Sequence, residues 1–161
     1  MARDTVETVR ATLEEYASRG VFKSFSQVRG RGRNAEFRFL WFRDVAFRVE
    51  FDSRTRTLTF RDLLPAARYG SEIDRDVRTF IRGRCSRALP GHRRIDSRRF
   101  EVKCVNRAGC ISVVMRIKAK DLEYGVRKSV HLIHEVLMDF LNQGRFVQYL
   151  VDHFNLDPEM A

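Results

Sequence analysis

The segment His131-Leu132-Ile133-His134-Glu135 is where residue types and spacing first suggest chemistry. A zinc-hydrolase helix needs His-Glu-x-x-His, so that two imidazoles one turn apart face one ion and the glutamate activates water. Here His134-Glu135 leads to Met138 where that pattern needs its second histidine. His131 and Glu135 share a helix face, but the sequence supplies no obvious third ligand. The cluster therefore reads as structural or surface-lying, and neither a metal nor a cofactor is expected. No Ser, Cys or His sits in a nucleophile-elbow context, and no phosphate-cradling glycine loop precedes a helix. Gly30 and Gly32 fall between expected strands, and Glu14-Glu15 suits an exposed helix face. The chain is expected to be a non-enzyme.

Arginine gives the strongest local signal. Arg82, Arg84, Arg87, Arg93, Arg94, Arg98 and Arg99 crowd one helix end and the loop after it, with His92 nearby and Asp96 opposing. A second group, Arg29, Arg31 and Arg33, alternates with glycine at an expected hairpin tip. Such guanidinium clusters bind phosphate by displacing counterions, with affinity that falls steeply as salt rises. These ten arginines are the candidate anion or nucleic-acid patch; Arg38, Arg48 and Arg61 would widen it across a sheet, with Phe42 as a stacking surface. A solvated charged face with local ion pairs is the competing reading. On the surface reading, replacing Arg93, Arg94, Arg98 and Arg99 with alanine leaves folding intact.

The whole chain is basic: 31 Lys and Arg residues against 21 Asp and Glu give a net charge of +10. Lysine occurs only at positions 23, 103, 118, 120 and 128. From Asp121 onward the balance reverses, with seven acids against Arg127, Lys128 and Arg145. The three cysteines, Cys85, Cys104 and Cys110, lack the spacing of a metal motif or a disulfide scaffold and are expected as buried hydrophobes. No apolar run reaches the roughly 20 residues of a membrane span, and Met1-Ala2-Arg3-Asp4 is unlike a signal peptide. A cytosolic protein without membrane contact is the expectation.

The elements that must position these residues follow from periodicity. Val6, Val9, Leu13 and Tyr16 recur at helical spacing over 4–19, with Asp4-x-x-Glu7 as a capping box and Gly20 as the stop. The period then becomes two. Phe37, Phe39 and Trp41; Val45, Phe47, Val49 and Phe51; and Leu58 and Phe60 mark three half-buried strands, with a fourth around 22–28 and a turn over 29–34. Pairing Phe51 with Leu58 and Val49 with Phe60 keeps the apolar sets on one face. Ser71 caps a second helix with the stripe Ile73, Val77, Phe80, Ile81 and Cys85, closed by Pro90-Gly91. Two further strands bear Phe100, Val102 and Cys104, then Ile111, Val113, Met115 and Ile117. A loop over 106–109 with Gly109 left-handed sets Cys104 opposite Ile111 and turns Cys110 to the other face. A long helix from about 121 to 142 and a short one after Gly144 complete the chain. The expectation is one α+β domain over 1–161: an antiparallel sheet of five to six strands, in the order α, three or four β, α, two β, α, α.

That order, with Leu63-Leu64-Pro65-Ala66-Ala67 leaving the sheet, resembles the type III secretion chaperone fold and the related YbjN-like domains. The resemblance spans most of the chain and rests on element order and that one segment. It implies a homodimer that binds an extended segment of a protein partner along exposed sheet and helix surfaces, without catalysis. The basic charge departs from those secretion chaperones, which tend to be acidic. A chaperone-like or regulatory protein-binding module is thus the first reading, and an arginine-dependent nucleic-acid binder the alternative.

Overall fold

The computed structural model describes residues 2–31 and 34–160, with side chains described over 5–28 and 34–159. Among them, helix α1 (Ala2–Ser18) is followed by strands β1 (Lys23–Arg31), β2 (Asn34–Trp41), β3 (Val45–Asp52) and β4 (Thr57–Leu64). Helix α2 (Glu72–Gly83), strands β5 (Phe100–Arg107) and β6 (Cys110–Ile117), helix α3 (Leu122–Glu135) and the short α4 (Val147–His153) come next. The protein is of the α+β class. All six strands form one antiparallel sheet in the order β1-β2-β3-β4-β6-β5.

Alternation decides which face is covered. Phe37, Val49, Phe60 and Val113 stand side by side across four strands, and each is buried. Helices α1, α2 and α3 pack over this face, where the stripe Val126, Val130 and Ile133 of α3 enters the core. The seating of α3 is close: a methyl group on Gly125 would lie 2.3 Å from Cγ2 of Ile117. The pairs Phe51 with Leu58 and Val49 with Phe60 occur as the parity argument requires.

Ends of elements follow their capping chemistry. At α1, Gly20 is left-handed (φ +80°), while Val21 donates to the Tyr16 carbonyl and Gly20 to that of Ala17, which satisfies the last carbonyls. The start differs from expectation: α1 already runs from Ala2, so Asp4 lies inside its first turn and does not cap it. Ser71 does cap α2, accepting from the Asp74 backbone N–H. That helix closes at Gly83 and not at Pro90-Gly91, because the chain turns to let Ile95, buried, donate to the Arg84 carbonyl. Cys85 is consequently exposed, against its expected burial, while Cys104 and Cys110 are half-buried. Burial pushes the Cys104 thiol up to about 11.

Two strand details also depart from expectation. The hairpin between β5 and β6 is closed by Ala108 and Gly109 alone, both at positive φ (52° and 80°). That two-residue turn pairs Arg107 with Cys110 and sets Cys104 opposite Val113, two positions from its expected partner Ile111. A shift of two keeps the parity, so Cys110 still faces away from Cys104. The first hairpin is tighter than a turn over 29–34, since β1 runs to Arg31 and β2 begins at Asn34. β1 itself is irregular between Lys23 and Ser26 and again between Gln27 and Arg29, with Ser24 at φ 55°. At the opposite edge, the outward carbonyl of Cys104 accepts from Arg78 of α2 at 3.0 Å. The last long helix also changes form. After Glu135 it continues as one π-helical turn, Val136–Phe140, closed by Leu141 N–H to the Val136 carbonyl.

Candidate binding surfaces

The arginine cluster converges on the acidic end of the sequence. Glu135, buried at the end of α3, accepts from Arg84 at 2.7 Å and from Arg93 at 3.1 Å on one carboxylate oxygen. Its other oxygen meets Nε2 of His131 at 3.1 Å. Arg93 also reaches Asp139 at 3.4 Å. A buried carboxylate shared in this way clamps the loop between α2 and β5 onto α3.

Not all ten candidate arginines act alike. Arg84 and Arg93 are held by Glu135. Arg94 turns inward to donate to the Leu89 carbonyl, with its Nε buried and unpaired. Arg82 donates to the Thr79 hydroxyl on the helix surface. Arg98 is almost fully exposed beside Asp96, and Arg99 lies 4.3 Å over the Tyr124 ring. Arg87 is exposed. Of the other group, Arg29 and Arg31 end β1 with their side chains outside the described residues, as is all of Arg33. Register carries the end of β1 through Asn34, Asp52, Thr57 and Arg116 to Glu101, so both groups sit at the same end of the sheet. They belong to opposite edges, five strand spacings or about 24 Å apart.

Among the described residues, no helix packs over the other sheet face. Across it, residues of like charge stand in rows: Arg38, Arg48 and Arg61 on three adjacent strands, and Glu36 opposite Glu50 one pleat away. Directly opposed like charges destabilise a sheet unless diagonal partners relieve them. Here Arg38 donates to Glu36 at 2.8 Å, Arg61 to Glu50 at 2.7 Å, and Arg48 to Asp62 at 3.4 Å. The sheet arginines expected on the solvent face are there, each engaged with a carboxylate. The face is hollowed near the β2 and β4 starts into a depression of about 860 Å³, floored by Glu36, Glu50, Thr57 and Thr59 with Val28 and Asp52 at its margins.

Phe42 does not offer a stacking platform on that face. It sits at φ 45° in the β2–β3 turn and packs edge-on against Phe154 at 6.2 Å, with Arg43 over its ring. No match emerges when the chain is compared with protein-family models, curated proteins and solved structures. His134, the other histidine of the near-motif, stacks on Trp41 at 6.3 Å. Among the described residues no three His, Cys, Asp or Glu side chains converge as metal ligands, and no helix is long and apolar enough to cross a membrane.

Sequence reasoning missed a cleft between the α2–β5 loop and α3. Its walls are Gly91 and His92 on the loop and Tyr124, Arg127, Lys128 and His131 on the helix, around about 310 Å³. Lys128 is nine-tenths buried there, and its ammonium donates to the His92 carbonyl at 2.9 Å. Burial pushes its pKa down, against the pull of Glu135. Burial likewise lowers His131, with Lys128, His134 and Arg93 adding to the shift and Glu135 opposing it. No sequence signal marked it: Lys128 lies on the side of α3 away from the Val126, Val130 and Ile133 stripe, where a lysine reads as an ordinary solvated residue.

Proposed function

We propose that the protein is a non-enzymatic binding module, chaperone-like or regulatory, that holds an extended segment of a partner protein against the uncovered face of its sheet. The observation that carries this reading is the one-sidedness of the fold. Helices cover one face, whereas the other is hollowed to about 860 Å³ with hydroxyl, carboxylate and guanidinium groups around it. Rows of opposite charge one pleat apart favour a segment whose own charges alternate in sign, and the hydroxyls of Thr59, in the carboxylate row, and of Thr57, one pleat further, add hydrogen-bonding groups. Among the described residues that line the hollow there is no histidine, cysteine or serine. The element-order resemblance to secretion chaperones points the same way and adds a homodimer as the expected assembly.

Selection of displayed random peptides on the immobilised protein tests this. Selected peptides should bind the wild type at micromolar or better affinity and lose at least tenfold with Thr59→Arg, which fills the hollow. Circular dichroism checks that the variant is folded. Peptides that bind Thr59→Arg unchanged, or none selected, would reject the reading.

The nucleic-acid alternative rests on the exposed arginines of the loop, Arg87, Arg98 and Arg99, with Arg82 beside them. Micromolar binding of single-stranded RNA or duplex DNA with a steep salt slope, abolished when these four become alanine, would favour it over the peptide reading.

A further inference from the structure

We propose that the cleft between the α2–β5 loop and α3 binds the phosphate group of a small phosphomonoester. This inference is independent of the sheet-face reading, because the two sites lie on opposite sides of the sheet and share no residue.

The argument starts from Lys128. An ammonium has three N–H donors and needs them satisfied when taken out of water. That of Lys128 makes one hydrogen bond, to a backbone carbonyl, and among the described residues no carboxylate pairs with it. The nearby acid, Glu135, is already bound by Arg84, Arg93 and His131. A cation left in this state lowers stability unless something else uses it, and the free space beside it is the cleft. Its neighbours there are also donors. His131 holds Nε2 3.1 Å from Glu135, and its Nδ1 becomes a donor toward the cleft once the ring takes up a second proton; His92 also lines the cleft. Arg127 shares its guanidinium with Glu123 and Glu15 at the rim. Tyr124 adds a ring whose face already carries Arg99.

A phosphate group fits this set because it offers three strong acceptor oxygens to converging donors, and charge-assisted bonds of that kind are the strongest available. A volume of about 310 Å³ leaves room for a small organic substituent beside the phosphate. Binding would draw a proton onto His131 Nδ1. The groups that act on this ring are Glu135, which favours the charged form, and Lys128, His134 and Arg93, which oppose it; His92 is also in the cleft.

Calorimetric titration of the full chain tests the proposal with three probes at fixed ionic strength: inorganic phosphate, phenyl phosphate and sulfate. Saturable binding of phenyl phosphate, tighter than inorganic phosphate, identifies a monoester site; equal affinity identifies a site for the free ion. Lys128→Met should weaken either by at least tenfold while its melting temperature stays equal to or above that of the wild type. Sulfate, which does not titrate in this range, should bind more tightly at pH 6 than at pH 8, and His131→Asn should reduce that difference while leaving the fold intact. Binding that persists in Lys128→Met, or heats indistinguishable from chloride, would overturn the assignment. If Lys128→Met fails to fold, the His131→Asn result alone decides: an unchanged pH dependence rejects the site.

Discussion

The two sides of the sheet handle charge in opposite ways. On the uncovered face, rows of arginine and of carboxylate lie one pleat apart and pair along or between strands, with most of the partners still reached by water. On the helical side, one buried carboxylate, Glu135, gathers two guanidiniums and an imidazole while Lys128 is left beside it with a carbonyl. Exposed pairs contribute about 0–1 kcal/mol each because water screens both charges. A buried hub differs, since removing its centre strands the partners in a low-dielectric setting. Charge on the open face is thus free to be rearranged by a partner, whereas charge at Glu135 fixes the fold.

The sharpest way to break this contrast is a pair of truncations read by urea unfolding. Glu135→Ala should lower stability by about 3–5 kcal/mol, and Glu50→Ala, which releases the exposed Arg61 pair, by about 1 kcal/mol or less. Equal losses would show that burial does not separate the two sides.

A smaller effect is expected at the contact that seats α3. Gly125→Ala places a methyl group against Ile117 and should cost about 1–3 kcal/mol through overpacking. Since α3 bears four cleft residues, the same variant should also weaken phosphate binding and leave peptide binding to the sheet face unchanged. Loss of both would mean the two sides are coupled.

The smallest effect is expected on acidification. Burial raises the Asp74 carboxyl, but hydrogen bonds from Asn106, the Gly70 N–H and Arg78 outweigh it and hold its pKa below the ordinary value. A folded-state pKa below the unfolded one, about 3.9, gives stability that is complete above that pH and lost as pH falls through the folded value. Stability should therefore fall below about pH 4, and Asp74→Asn should flatten that limb relative to wild type in unfolding curves at pH 2–6.

Much of the fold was legible because burial imposes parity. Val49, Phe60 and their neighbours had to share a face, so even the hairpin over 106–109, misjudged by two positions, kept the right residues inside. Ser71 and Gly20 declared helix ends through local chemistry. β1 was faint because its bulges break the two-residue period, and the α2 end was misplaced because Ile95 folds back from beyond it. The binding surfaces were harder to read. Arginine clustering drew attention to the α2–β5 loop, but its counter-charge, Glu135, lies 42 residues beyond Arg93 in the chain. Lys128 looked like one more polar residue on a long helix. Both acquire their meaning only when α3 crosses the loop.

One consequence concerns the rims of the sheet. Terminal strands with unsatisfied backbone groups recruit further strands and lead to fibrils. Here one rim is kinked twice along β1, and at the other a guanidinium already occupies the Cys104 carbonyl. An incoming strand would have to straighten the first or evict Arg78 from the second. Arg78 thus does from α2 what a neighbouring strand would otherwise do for that carbonyl, and its removal would leave the group open at the rim.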